Sequence, residues 1–264
     1  MGLLQRISAV VNGNFNKKLK GTSQPYFGQN FNAQALKKHN LSQDVFTANP
    51  YADTAINEHE LALSQPVRFI RKYANNETIQ NAMEKNPNIA RILKENGLST
   101  EFNLENVNSI MMSHLIPTSK TAQKLYCKMG HDKEEETYLY LTQAALLHDI
   151  GKCFIPSEIL NKKGKLTSKE REIIELHNRL SYEILKTTDL NPKVAQLAHE
   201  HHDYQKNLKR NHENQALTIS DVYCALKEHR PYKKPLSDLC AKTILYDMGT
   251  KGSFDTRYIN YLCA

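Results

Sequence analysis

The chain has 264 residues, 40% hydrophobic and 24% charged, with a net charge of +7 from 35 basic and 28 acidic side chains. This composition suits one large soluble domain, or one domain with an appendage, and supplies enough apolar residues for a real core. Ten glycines and nine prolines exclude collagen-like and low-complexity classes, and no apolar run approaches the ~18 residues of a transmembrane helix.

The start, MGLLQRISAVVNG, has no charged region followed by a long apolar stretch and a cleavage site, so no secretory leader is expected. Arg6 stands where a myristoylation signal wants Ser or Thr. Five cysteines, Cys127, Cys153, Cys224, Cys240 and Cys263, are odd in number, widely spaced and free of any CxxC. They predict idle thiols in a reducing cytoplasm, with no disulfide scaffold and no thiolate zinc site. The positive charge is spread along the chain. It weakly favours a phosphate-bearing small-molecule substrate and disfavours nucleic acid as a partner; oligomerisation stays open.

In chain order, residues 1–65 are rich in Asn, Gln, Lys and Gly and read as an extended or partly ordered N-terminal arm. Helical patches are expected at Leu3–Val11 and Asp53–Leu63. The face formed by Leu3, Leu4, Ile7, Val10 and Val11 is read as docking on its own domain rather than on a membrane. Residues 66–102 read as short helices leading into the core: Val67–Tyr73, Thr78–Lys85 and Asn88–Glu95, broken by Pro87 and by Asn96-Gly97. Residues 103–264 form the main domain. Helices are predicted over 103–129, 134–149, 168–187, 191–203, 215–228, 234–247 and 254–263. Gly130 stops one, Pro192 opens another, and Thr167 with Glu170 forms a capping box. No alternation is long enough to build a sheet, so the fold is predicted to be all-α.

Eleven histidines are present. Ala144-Ala145-Leu146-Leu147 runs straight into His148-Asp149-Ile150-Gly151-Lys152, so an apolar helix ends by burying two costly polar groups. Such burial needs compensation, and a cation supplies it. Lys152 returns to the same face by helical spacing. A second cluster is His199-Glu200-His201-His202-Asp203, and Asp221 lies in the apolar helix Ala216–Tyr223. His39, His59, His131, His212 and His229 read as surface residues. Lys162-Lys163-Gly164-Lys165 reads as a structural turn, and Met111, Met112, Tyr138, Tyr140, Tyr258 and Tyr261 read as packing.

Two stretches carry a family resemblance. Residues 146–185, LLHDIGKCFIPSEILNKKGKLTSKEREIIELHNRLSYEIL, hold an HDxGK core, Ile155-Pro156, Ile159-Leu160, Lys163–Thr167 and His177. Residues 220–237 hold Asp221, Ala225-Leu226 and Arg230-Pro231-Tyr232. Over about 114–235 the chain resembles the HD superfamily of metal-dependent phosphohydrolases, and within it the HD-GYP subfamily of cyclic-di-GMP phosphodiesterases. The resemblance implies an HD-domain helical bundle with an N-terminal extension. It also implies two divalent metal ions, held by His114, His148 and Asp221 on one side and His177, His201 and His202 on the other, with Asp149 bridging. Lys152 matches the lysine that steadies a phosphate oxygen. Imidazole-rich ligation with a carboxylate bridge favours iron or manganese, accommodates zinc and disfavours magnesium. Asp149 and Lys152 are thus the expected catalytic pair, and the expected reaction is phosphodiester hydrolysis by a metal-activated hydroxide.

The chain departs from the subfamily at three places. Ile110 stands where some relatives carry a Glu for a third metal. Pro117 follows His114 by three residues and should kink the helix or set its first turn. The Asp-Gly-x-Gly-Tyr-Pro loop is missing: Asp203–Arg210 follow the His-His pair, and Asp221 comes 19 residues after His202. The expected substrate is therefore a cyclic nucleotide, cyclic dinucleotide or related signalling phosphate, with Lys209 and Arg210 as a cationic rim. A non-catalytic regulatory HD module and a di-iron oxygenase on the same ligand set are the alternatives.

Overall fold

A computed structural model describes residues 58–203, 211–228 and 234–263. Leu3–Val11, Lys209, Arg210 and Arg230-Pro231-Tyr232 lie outside the described residues. Among the described residues there is no strand, and no helix is long and apolar enough to cross a membrane.

The first four helices are α1 (Glu58–Ser64), α2 (Pro66–Tyr73), α3 (Asn76–Lys85) and α4 (Pro87–Glu95). Prolines open α2 and α4, where a missing amide costs nothing, and Asn75 caps α3 by accepting from the Thr78 amide. These helices are part of the core. Leu61 and Ala62, inside the expected arm, are buried together with Phe69, Ile70, Ile79, Ile89 and Leu93.

The expected helix 103–129 comes in pieces. A short helix α5 (Glu105–Asn108) leads to a wide π-turn (Met111–Leu115), and only then does α6 (Ile116–Lys128) run on. Pro117 has no amide to donate, and the turn ahead of it widens so that the Ile116 amide reaches the Met111 carbonyl. Next comes α7 (Glu136–Leu147), flanked by α1, α2, α6, α10 (Pro192–Glu200) and α11 (His212–Lys227). That encirclement explains why Leu141, Ala144, Ala145, Leu146 and Leu147 are all buried, and why the segment reads as apolar on every side rather than as one stripe.

A 3-10 turn (Ile150–Phe154) and the short α8 (Ser157–Leu160) lead to α9 (Ser168–Leu185), which starts at the capping box predicted from Thr167 and Glu170. Helices α3, α4 and α10 pack on α9. The chain ends with α12 (Asp238–Thr250) and a 3-10 segment (Thr256–Cys263), which replaces the α-helix expected at 254–263.

Gly151 sets how closely the 3-10 turn meets α9. A Cβ there would stand 2.3 Å from the His177 carbonyl oxygen and 2.6 Å from the Ser181 amide nitrogen. Only glycine permits that approach. The Gly151 amide also donates to Ser181 Oγ at 2.9 Å, fixing the register between the two segments.

Candidate metal centre

The expected helices 134–149 and 191–203 both stop early, and that places the site. α7 ends at Leu147 and α10 at Glu200, so His148-Asp149 and His201-His202 occupy the turns just beyond two helix C-termini. The last carbonyls of a helix have no amide partner. Here imidazoles take that role: His148 Nδ1 lies 2.9 Å from the Ala145 carbonyl, and His201 Nδ1 lies 2.6 Å from that of Ala198. His177, inside α9, makes the same contact with the Ile174 carbonyl at 2.5 Å. A carbonyl only accepts, so each Nδ1 carries a proton. In the neutral ring the lone pair is then left on Nε2, pointing inward. The negative ends of two helix dipoles face the same spot, which favours positive charge there.

Seven side chains converge. His114 Nε2 lies 3.1 Å from Asp221 Oδ1 and 3.5 Å from Asp149 Oδ2. His148 Nε2 lies 3.4 Å from Asp149 Oδ2 and 3.7 Å from Asp221 Oδ1. On the other side, His177 Nε2 is 3.1 Å from Asp149 Oδ1, and His202 Nε2 is 3.5 Å from Asp221 Oδ2. Each carboxylate thus offers one oxygen to each side. His114, His148, Asp149, His177 and His201 are essentially closed to solvent. Two groups, His114 with His148 and Asp149, and His177 with His201 and His202, each bring ligand atoms within 4.8 Å of one another and could hold a metal ion.

The donor set fits a cation better than it fits itself. His148 Nε2 and Asp221 Oδ2 are buried without a well-formed hydrogen bond among the described residues: their facing atoms, Asp149 Oδ2 at 3.4 Å and His202 Nε2 at 3.5 Å, stand at the limit of reach. Orphaned buried atoms of this kind are costly unless something binds them. His177 Nε2 and His201 Nε2 lie 3.4 Å apart although both are acceptors, an arrangement that repels until a positive charge sits between them.

The electrostatics agree. Burial should raise both carboxyls, yet Lys152 and His148 hold Asp149 well below its usual range, and His114, His148 and His202 do the same for Asp221. Burial pushes His177 down and His201 far down, so both stay neutral. It also opposes charge on His148 and His202. There the carboxylates win: Asp149 and Asp221 raise His148 to about 10, and Asp221 and Glu175 raise His202 to about 9. Without metal, two protons offset the two carboxylates.

Lys152 sits at the edge of this cluster with Nζ 2.6 Å from Asp149 Oδ2. It reaches that carboxylate from the 3-10 turn rather than along a helix face. Its ammonium is bonded within the site, so a phosphate oxygen would have to draw it away from Asp149. Lys209 and Arg210 fall outside the described residues.

Sequence reasoning missed Glu175, whose Oε2 accepts from His202 Nδ1 at 3.0 Å. Two positions before His177 on α9, Glu175 reads as a solvent-facing charge, and nothing local announces its partner on another helix. His131 and His212 correct the surface reading. His131 stacks on Tyr126 at 4.1 Å and meets His212 at 2.6 Å, while His212 bonds the Tyr258 hydroxyl at 3.0 Å. His199 is exposed, and its ring lies 5.3 Å from that of Tyr182, tilted by 40°. Lys162 is held by Glu170 at 2.7 Å, as befits a structural turn.

A family model of the HD domain matches residues 103–257, which include all seven convergent side chains and Lys152. The chain belongs to the HD domain family. Among curated relatives, this HD domain is similar to the cyclic di-GMP phosphodiesterase response regulator RpfG of Xanthomonas campestris pv. campestris. Identity there is 32% over 139 residues, covering 48% of this chain and 36% of that protein. It is likewise similar to 3'3'-cGAMP-specific phosphodiesterase 1 of Vibrio cholerae, 32% identical over 133 residues, covering 47% of this chain and 30% of the relative. A cyclic di-GMP phosphodiesterase of Thermotoga maritima is 36% identical over 103 residues, covering 35% and 28%. The chain spans about a third of the length of these relatives.

Proposed function

We propose that this HD-domain chain is a metal-dependent phosphodiesterase that hydrolyses a cyclic nucleotide, cyclic dinucleotide or related signalling phosphate. One observation carries the proposal: two sets of inward-facing imidazole nitrogens flank a shared carboxylate, with the Lys152 ammonium at its edge. The relatives' activity on cyclic dinucleotides supports the substrate class. The proposed cofactors are two divalent ions, iron or manganese by preference and zinc as a compatible third, because the donors are mostly imidazole.

Bound there, such a pair supplies Lewis acidity toward phosphoryl oxygens and acidifies water. The chain's own residues do the rest. His114 and His148 would hold one ion and His177, His201 and His202 the other, with Asp149 offering one oxygen to each side. Asp221 adds a second carboxylate facing both. Lys152 turns its ammonium from Asp149 toward the substrate phosphate and offsets charge that grows in the transition state. The buried rings and helix ends exclude bulk water, which strengthens each of these interactions. No serine or cysteine nucleophile is needed. The five cysteines fit a cytoplasmic enzyme, and Cys127, Cys153, Cys224 and Cys240 are free thiols.

The segment Asp203–Arg210 takes the place of a Gly-rich specificity loop, so a strict guanine dinucleotide preference is not expected. The test is a turnover screen of metal-reconstituted protein against cyclic nucleotides, cyclic dinucleotides, generic phosphodiesters and phosphomonoesters. Diester hydrolysis is expected, with cyclic di-GMP slower than a generic diester. A fully loaded protein with no phosphoester turnover, but with oxygen uptake and a redox-sensitive di-iron spectrum, would replace this reading with the oxygenase.

A further inference from the structure

The two sides of the centre are built differently. On the His177, His201 and His202 side every ring has its outer nitrogen held. The carbonyls of Ile174 and Ala198 take two, and the Glu175 carboxylate takes the third at 3.0 Å. On the His114 and His148 side, only His148 is held in this way; His114 Nδ1 is buried with no partner among the described residues. A ring without an outer partner has nothing to fix its Nδ1–H tautomer, and it makes a poorer ligand.

Charge separates the sides further. The Lys152 ammonium lies against Asp149 Oδ2, the oxygen that faces His114 and His148. A cation arriving there meets a positive charge and must share its carboxylate oxygen. Asp149 Oδ1 faces His177 at 3.1 Å, and the ammonium sits on the other oxygen. The carboxylate behind His202 acts in the opposite sense. It fixes the Nδ1–H tautomer, aims Nε2 inward and makes the ring a more basic donor. Glu175 is only partly exposed, and its Oε2 sits 3.0 Å from His202 Nδ1.

We propose that Glu175 is a positioning residue that holds His202 and makes the His177, His201 and His202 side the tighter of two unequal metal sites. This inference rests on the metal-binding reading above and deepens it. One position is filled first and kept; the other fills later and exchanges.

The experiment is a titration of chelator-stripped full-length protein with Co²⁺, followed by calorimetry and by the d–d absorption of the bound ion. Wild type should fill in two separable steps. Glu175→Ala should weaken the first step about 10–100-fold, the range for loss of an outer partner, and leave the second unchanged. Glu175→Gln keeps an oxygen that accepts from Nδ1, so it should recover part of the loss. A merely structural role would lower thermal stability without separating the two steps, so melting of the stripped proteins is measured alongside. Wild type that fills both positions with one affinity overturns the inference and leaves the metal reading intact. So does Glu175→Ala that leaves the first step unchanged or weakens both steps equally. If Glu175→Ala does not fold, the step pattern of wild type and Glu175→Gln decides alone. Wild type that takes up no cobalt overturns the inference and the reading together.

Discussion

Gly151→Ala is a severe perturbation that touches no ligand. The added methyl would meet the His177 carbonyl at 2.3 Å, the Ser181 amide at 2.6 Å and Leu180 Cβ at 2.9 Å, where ordinary contact begins at 3.4 Å. Two of these atoms are backbone in the middle of α9, so the 3-10 turn and the helix must part by about 1 Å. Overpacking of this kind costs about 1–3 kcal/mol, which for a domain of this size lowers Tm by about 2–12 °C. The same shift draws Asp149, two residues away, from His177, now 3.1 Å distant, and strains the Gly151–Ser181 hydrogen bond. Metal affinity should fall by about 10–100-fold, as when an outer partner is lost. Gly164→Ala is the matched control, because its methyl would meet nothing within 4 Å; it should change stability by less than about 0.5 kcal/mol. The assay is thermal unfolding with and without Mn²⁺, paired with equilibrium dialysis. Gly151→Ala with wild-type Tm and wild-type metal affinity would refute the claim that this contact sets the geometry of the centre.

Lys152→Ala should retain both metals and lower phosphodiester turnover by about 10²–10³-fold, measured as kcat beside metal content; unchanged kcat would remove Lys152 from the reaction. Metal loading should release about two protons near pH 7.5, because His148 at about 10 and His202 at about 9 are charged in the metal-free protein and must lose that charge to ligate. Their raised values stabilise the metal-free fold fully below the unfolded value of about 6.5. That contribution is lost as pH rises through about 9 and then 10, so metal-free Tm should fall over this window while loaded protein is less affected. Release measured in weakly buffered solution, with Tm across pH, checks both. Lys209→Ala with Arg210→Ala should raise KM for an anionic substrate more than it lowers kcat, with the difference shrinking as salt rises; a salt-independent kcat defect would contradict a rim that acts through its field.

The parts of this molecule that announce themselves in sequence are those whose cost is local. An apolar helix running into His148-Asp149 declares buried polarity, and Thr167 with Glu170 declares a helix start. What stayed hidden depends on partners distant in the chain. Glu175 takes its role only when His202 arrives from the end of α10. His131 and His212, 81 positions apart, look like surface residues until the α6–α7 turn meets the start of α11. The glycine at 151 reads as part of a motif, and its necessity lies in the backbone of α9. The π-turn at Met111–Leu115 had a visible cause in Pro117, but its effect, aiming His114 at two carboxylates, belongs to packing against α7 and α11. Helices α7 and α10 end at Leu147 and Glu200, earlier than the sequence predicts, because side chains, not amides, satisfy the last carbonyls.

In the proposed function the seven convergent side chains form a two-metal centre bridged by Asp149. Metal content per chain tests it most directly, comparing wild-type protein with Asp149→Ala after reconstitution with excess iron, manganese or zinc. Close to two ions per wild-type chain are expected, with loss of both occupancy and activity in the variant. Wild-type protein that stays metal-free under these conditions, or Asp149→Ala that holds the same two ions, would contradict it.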